Sequence, residues 1–160
     1  MGEIFVYNEI NTEKFIVFKV ADYLLALSIN NVLKVVNCSD FNIKKLTTMG
    51  LVQVGKHMIK LLDLHQHLSS DSLLTMPDAS FLVVTCDSQG QLCGVLVNEP
   101  PDLIELPLET IRPLPKSDSY SNLATDMVSH VVVLSHKEAI KTIFLLDLKG
   151  IESSLHPTVT

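Results

Sequence analysis

Short apolar runs, separated by one to three polar residues, dominate the first part of the chain. Residues 15–20 and 23–29 form two such runs, with Ala21 and Asp22 between them. Two apolar runs around a short break that contains aspartate are typical of a β-hairpin. After Asn30 and Asn31 a third run covers residues 32–36. This pattern predicts a hairpin followed by a third strand.

The same pattern continues to the end of the chain. Gly55 and Lys56 separate two further apolar runs and indicate a tight turn. Asp63 and Asp147 each follow an apolar run, where an aspartate can cap a short helix by accepting hydrogen bonds from free amide groups. We therefore predict short helices over residues 64–68 and after Asp147. The further predicted strands are residues 50–54, 57–62, 81–86, 92–97, 102–106, 127–134 and 139–145.

A polar segment and a short repeat suggest two similar halves. Residues 69–80 are polar and include Pro77, so they are the best internal boundary. Leu61-Leu62-Asp63-Leu64 recurs as Leu145-Leu146-Asp147-Leu148, each time after a predicted strand. Several short strands with turns between them are typical of small barrels. Two such barrels packed together could share a core that one alone would lack.

Composition excludes several classes of protein. Of the 160 residues, 47% are apolar and 19% charged, which is too apolar for a disordered chain. The net charge of −6 and the single arginine, Arg112, argue against a nucleic-acid-binding protein. The first residues carry no basic segment, and Cys38, Cys86 and Cys93 form no CxxC pair. We therefore expect a cytoplasmic protein with reduced, buried thiols and no direct membrane insertion.

The residue types that carry chemistry occur without a recognisable pattern. His65 and His67 point apart on a helix and have no third ligand at a suitable spacing. Asp63 and Asp147 are better explained as helix caps than as an acid–base pair. No nucleophile motif and no glycine-rich phosphate loop is present. We therefore expect no enzyme, no metal site and no cofactor.

The apolar segment from Leu27 to Val35 leaves one candidate surface. Leu27 is interpreted as a core residue. Ile29, Val32 and Val35 are either core residues or the wall of a groove for a partner helix. The sequence pattern is compatible with both interpretations.

Several short motifs also occur in a fixed order from residue 15 to about residue 151. They are Phe15-x-x-Phe18, Leu25-Ala26-Leu27-x-Ile29-x-x-Val32-x-x-Val35, Gly50-Leu51-Val52-Gln53-Val54, Ile59-x-Leu61-Leu62-Asp63-Leu64, Gly94-Val95-Leu96-Val97-Asn98, Ile111-Arg112-Pro113-Leu114-Pro115 and Leu145-Leu146-Asp147-Leu148. In number, order and spacing this set resembles the CheW-like adaptor proteins of bacterial chemosensory systems.

The resemblance implies an all-β fold of two five-stranded SH3-like β-barrels packed side by side, with short helices. It implies a scaffold without catalytic activity that joins chemoreceptor tips to a CheA-type histidine kinase, in chemotaxis, phototaxis or pilus motility. The expected organisation is a lead at residues 1–14, one domain at 15–152 and a tail at 153–160. The approximate halves are 15–70 and 80–152, and exchange of strands between the two barrels is left open.

The resemblance also implies a site, in the groove between the barrels that takes the receptor tip. By position, Ile29, Val32 and Val35 would supply apolar contacts, with Lys34 and Gly55 at the edge of the groove. No residues are assigned to kinase binding.

The chain departs from the family pattern in this region. Residues 53–56, Gln-Val-Gly-Lys, replace the usual Asn-Leu-Arg-Gly, so Gly55 stands at the arginine. Lys34 stands where glutamate is frequent, and Lys60 replaces a proline. The changes at residues 34 and 55 look paired. The alternatives are therefore a divergent regulator that competes for receptor or kinase without bridging them, or a stand-alone β-barrel interaction module.

Overall fold

The computed structural model of the chain describes residues 11–38, 50–62, 64, 81–114 and 127–147. Eleven strands lie within these residues. They are β1 Thr12–Val20, β2 Tyr23–Ser28, β3 Val32–Asn37, β4 Leu51–Val54, β5 His57–Leu61, β6 Phe81–Cys86, β7 Leu92–Val97, β8 Asp102–Pro107, β9 Arg112–Pro113, β10 Val128–His136 and β11 Ala139–Leu146. The predicted helices after Asp63 and Asp147, the boundary at 69–80, and His65 and His67 lie outside the described residues.

The prediction of an all-β protein made of short hairpins is confirmed. β1 begins at Thr12, three residues before the predicted start, because Thr12 to Val17 pair with β8 from Pro107 to Asp102. Two single turns of 3-10 helix, Ile29–Asn31 and Leu108–Thr110, link consecutive strands. The family resemblance implied two barrels of five strands each, but one of the two sheets has a sixth strand, β9. This strand is two residues long, and after it the amide of Leu114 donates to the carbonyl oxygen of Ser129 on β10.

The strands form two sheets, and the two sheets have corresponding strand orders. The six-stranded sheet has the order β8-β1-β2-β11-β10-β9, and the five-stranded sheet has the order β3-β6-β7-β5-β4. Hairpin β1–β2 in the first sheet therefore corresponds to hairpin β6–β7 in the second. The five-stranded sheet consists of the consecutive strands β3 to β7, whereas the six-stranded sheet combines β1 and β2 with β8 to β11. The six-stranded sheet is therefore discontinuous in sequence.

The repeated Leu-Leu-Asp-Leu segment marks equivalent places in the two sheets. β5 ends at Leu61 and pairs in parallel with β7, whereas β11 ends at Leu146 and pairs in parallel with β2. These are the two junctions between hairpins in the respective sheets. The first residues of the two copies, Leu61 and Leu145, therefore lie at corresponding places in the two sheets.

Each sheet curls around its own apolar interior. The interior of the five-stranded barrel receives a side chain from every strand of its sheet, including Val36, Val52, Ile59, Leu82 and Leu96. The interior of the six-stranded barrel is formed in the same way by the inward side chains of β1, β2, β8, β10 and β11. These include Phe15, Val17, Ala26, Leu106, Val132, Ile143 and Leu145.

A third apolar cluster lies between the two barrels. On β6, Leu82 and Val84 face the barrel interior, whereas Val83 between them packs against the other barrel. On β2, Leu25 and Leu27 pack between the barrels, while Ala26 faces inward. Strands that are covered on both faces need apolar residues at every position. This explains why the sequences of β6 and β7 are apolar without alternation.

Gly94 on β7 lies at the tightest point of the five-stranded barrel. A Cβ atom at this position would lie 2.6 Å from Leu82 Cδ1 and 3.1 Å from Ile59 Cγ2. Both neighbours are fully buried in the barrel interior. Glycine is therefore required here by space and not by backbone conformation.

Candidate functional site

Strand β3 forms one edge of the five-stranded sheet and carries most of the predicted groove residues. Among the described strands it pairs with β6 alone, with Val32 opposite Thr85, Lys34 opposite Val84 and Val35 opposite Val83. The register shifts between Val32 and Lys34, which is a β-bulge at Leu33.

The bulge determines which side chains of β3 share a face. Residues directly opposite each other in an antiparallel pair point to the same face of the sheet. Val35 therefore shares the face of Val83, which packs between the barrels, and Val32 shares the face of Thr85, two residues further on. Without the extra residue, positions 32 and 35 would point to opposite faces. The bulge thus aligns two valines three residues apart beside the contact between the barrels.

This face of β3 is only partly covered. Val32 is half-buried against the cluster between the barrels, whereas Val35 is 39% exposed. Ile29, in the preceding 3-10 turn, is 37% exposed. We call Ile29, Val32 and Val35 the β3 ledge. It is an apolar surface that continues the buried contact between the barrels outwards to solvent.

Hydrogen bonds hold the turn at the start of the ledge. The Thr85 hydroxyl donates to the carbonyl oxygen of Asn31 at 2.5 Å, and Thr85 is itself buried. The Ser28 hydroxyl accepts from the amide of Asn30 at 3.3 Å and caps the turn. The turn is therefore attached to β6 as well as to β2, and this attachment fixes the position of Ile29.

The other two predicted site residues lie elsewhere. Lys34 is exposed and lies opposite Val84, so it belongs to the face of β3 that is opposite Val32 and Val35. Gly55 lies in the exposed β4–β5 turn, and β4 forms the other edge of the sheet from β3. The structure thus groups Ile29, Val32 and Val35 but places neither Lys34 nor Gly55 with them. A receptor contact of all five stays a prediction.

Two neighbouring residues complete the description of this segment. Leu27 is buried, as predicted from the sequence. Leu33 at the bulge is 57% exposed and was not among the predicted site residues. Val32 and Leu33 are consecutive apolar residues and interrupt the alternation of the strand. This interruption is the sequence signal that could have identified Leu33. An exposed leucine next to an apolar ledge enlarges the surface that a partner can bury.

The described residues provide little for catalysis or metal binding. No group of three or more histidine, cysteine, aspartate or glutamate side chains in the described part of the chain could hold a metal ion. Burial raises the pKa of the Cys38 thiol from 9.0 to about 11, which makes it a poor nucleophile at neutral pH. Among the described residues, no helix is long and apolar enough to cross a membrane.

Comparison with known proteins identifies the fold. The family model for the CheW-like domain matches residues 14–155. The chain belongs to the CheW-like domain family. Its structure is similar to the crystal structure of the scaffolding protein TtCheW from Thermoanaerobacter tengcongensis, with a TM-score of 0.64 and 19% sequence identity over 86% of each chain. Among curated proteins, no sequence matches significantly.

Membership of the CheW-like domain family explains the architecture described above. The two curled sheets are the two SH3-like barrels of the CheW-like fold, as the sequence resemblance implied. The similar structure is that of a scaffolding protein, and it shares the fold of this chain.

Proposed function

We propose that this protein is a cytoplasmic, non-catalytic adaptor that couples chemoreceptors to a CheA-type histidine kinase. The observation that carries the proposal is the β3 ledge, together with family membership. An amphipathic helix binds by laying its apolar side chains into a groove lined by apolar groups. The cytoplasmic tip of a chemoreceptor is the helical partner that the family resemblance implies.

The position of the ledge supports a groove for a helix. Val35 projects from the edge strand of one barrel, on the face that packs against the other barrel. Lys34 places a positive charge on the other face of β3.

The sharpest test of the ledge is the substitution Val35→Asp. Because Val35 is 39% exposed, a carboxylate there can remain hydrated, so the melting temperature should change little. Binding of a receptor-tip fragment should weaken by roughly tenfold or more, because the partner would have to desolvate the charge. Val133→Asp is the matched control, since Val133 is 56% exposed on β10, in the other barrel.

Val32→Asp gives a second, harsher variant. Val32 packs against the cluster between the barrels, so part of the effect of this change will be a loss of stability. If Val35→Asp and Val133→Asp weaken receptor binding equally, the ledge is not the receptor surface. If Val32→Asp causes a collapse in stability without a specific loss of binding, Val32 belongs to the core alone.

The missing family arginine at Gly55 favours one second candidate, a regulator that competes without bridging. A bridge forms a ternary complex of receptor fragment, this protein and the kinase, which size-exclusion chromatography with light scattering can detect. A competitor instead displaces a conventional adaptor from one partner and forms only binary complexes. The coupling role requires the ternary complex to appear with the unmodified protein.

A further inference from the structure

The six-stranded barrel has an open end that holds a cavity of about 380 Å³. The cavity lies where β1 begins and β2 ends, next to the start of β10 and the end of β11. Phe15, Ala26 and Leu145 form its floor and are buried in the barrel interior. A cavity of this size is at the small end of the range for ligand sites in proteins.

The entrance of the cavity is polar, in contrast to its floor. Glu13 lies two residues before Phe15 on β1, so the alternation of the strand directs it to the same inward face. Ser28 lies opposite Phe15 on β2 and faces inward for the same reason. His130 lies opposite Leu145, with its Nδ1 atom 2.8 Å from the hydroxyl oxygen of Ser129. All these residues line the cavity.

The charge at the entrance is one-sided. Among the described residues, Glu13 is the one carboxylate in the cavity wall, and no described lysine or arginine lines it. Two of the described cations are close in sequence to wall residues, but the pairing directs them outward. Lys14 lies opposite Glu105 on the outer face, and Arg112 lies opposite Val131, which packs between the barrels. Within the described part of the chain, the Glu13 carboxylate therefore faces the cavity entrance with no lysine or arginine beside it in the wall.

We propose that the open end of the six-stranded barrel binds a small organic cation, an alkylammonium compound with a short apolar body. The apolar body would occupy the floor formed by Phe15, Ala26 and Leu145. The ammonium group would donate hydrogen bonds to the Glu13 carboxylate and to the Ser28 hydroxyl. Hydrogen bonds between charged groups are stronger than neutral ones, so Glu13 sets the preference for a cation. This binding site is separate from the proposed adaptor function.

The experiment is a titration of the full-length protein with three probes of equal chain length. n-Hexylammonium, n-hexanol and hexanoate are added while the leucine and isoleucine methyl signals are followed by NMR. We expect saturable shifts at Leu145 and Ile111, with hexylammonium binding more tightly than hexanol and hexanoate binding most weakly. Equal binding of all three probes, or shifts that do not saturate, would overturn the proposal.

Two variants identify the carboxylate that is responsible. Glu13→Gln should weaken hexylammonium binding roughly tenfold and leave hexanol binding unchanged, which also shows that the cavity is intact. Glu109→Gln is the matched control, because Glu109 follows the wall residue Leu108 but does not line the cavity. If Glu109→Gln weakens hexylammonium binding as much as Glu13→Gln, the preference comes from overall charge and the site is rejected.

Discussion

The five-stranded and six-stranded barrels consist of corresponding strands, yet their interiors are packed differently. In the five-stranded barrel the space is so limited that Gly94 has no room for a Cβ atom beside Leu82. In the six-stranded barrel the inward positions end in Glu13 and Ser28, and these residues line a cavity among the described residues. The comparison shows that one strand arrangement supports both a closed core and a ligand-sized cavity.

The largest expected effect is the loss of free energy of unfolding when a leucine in one or the other barrel interior is replaced by alanine. Leu82→Ala, in the closed barrel, should destabilise the protein by about 2–5 kcal/mol, because the surrounding side chains cannot collapse onto the space it leaves. Leu145→Ala, at the floor of the open cavity, should cost roughly 2 kcal/mol or less, since solvent can enter there. Urea denaturation measures both free energies of unfolding. Equal costs would mean that the two interiors are packed alike.

The reactivity of Cys38 tests whether the five-stranded barrel is closed to reagents. The pKa of its thiol is raised from 9.0 to about 11 by burial, which lowers its thiolate fraction at pH 8 about 100-fold. Single-cysteine variants that retain Cys38 or the partly exposed Cys86 can be labelled with a thiol reagent over a range of pH. We expect Cys38 to react far more slowly at pH 8, and its rate to rise up to about pH 11.

The same shift in pKa predicts how stability depends on pH. Between 9.0 and about 11 the unfolded chain loses the Cys38 proton while the folded protein keeps it. The free energy of unfolding should therefore fall as the pH rises through this interval, and Cys38→Ser should remove that fall. In the labelling experiment, similar rates for Cys38 and Cys86 at pH 8 would show that the five-stranded barrel opens readily.

Replacing two glycines by alanine distinguishes a steric constraint at one position from a backbone-conformation constraint at the other. Gly94→Ala should cost about 1–3 kcal/mol, because the new methyl group overlaps Leu82. Gly55→Ala meets no atom within 4 Å, but Gly55 has a φ of +61°, so a cost of about 1 kcal/mol is expected from strain alone. In combination with Leu82→Val, Gly94→Ala should reduce the free energy of unfolding by less, whereas the reduction caused by Gly55→Ala should stay the same. Purely additive effects at residues 82 and 94 would contradict the overlap.

The smallest expected effect concerns the paired change at the two edges of the five-stranded sheet. Val36 of β3 and Val54 of β4 contact the same interior cluster, so both edges surround one core. Lys34→Glu with Gly55→Arg should improve receptor or kinase binding by about 0.2–1 kcal/mol beyond the sum of the single changes, and by less at high salt. Circular dichroism of Gly55→Arg must first show a folded protein, because φ at this residue is positive.

Merely additive effects in that double variant would mean that the two departures from the family pattern are unconnected. The charge pair would then give no reason to distinguish this protein from other adaptors, and the ternary-complex experiment would decide its role alone.

The short-range features of the fold could be predicted from the sequence. The two hairpins around Ala21-Asp22 and Gly55-Lys56 follow from apolar runs and turn residues, which act within a few positions along the chain. Leu27 was correctly interpreted as core, and the family resemblance correctly implied two SH3-like barrels. These features depend on local pattern or on motif order, both of which the sequence contains directly.

The tertiary structure alone decided the features that depend on distant pairing. The sequence pattern left Val32 and Val35 as either core or groove, because strict alternation cannot place residues three apart on one face. The bulge at Leu33, produced by pairing with β6, aligns them. Glu13 was not singled out from the sequence at all. It faces a cavity only because β2, β10 and β11 meet β1 at the open end of the barrel, and such contacts arise between residues far apart in sequence.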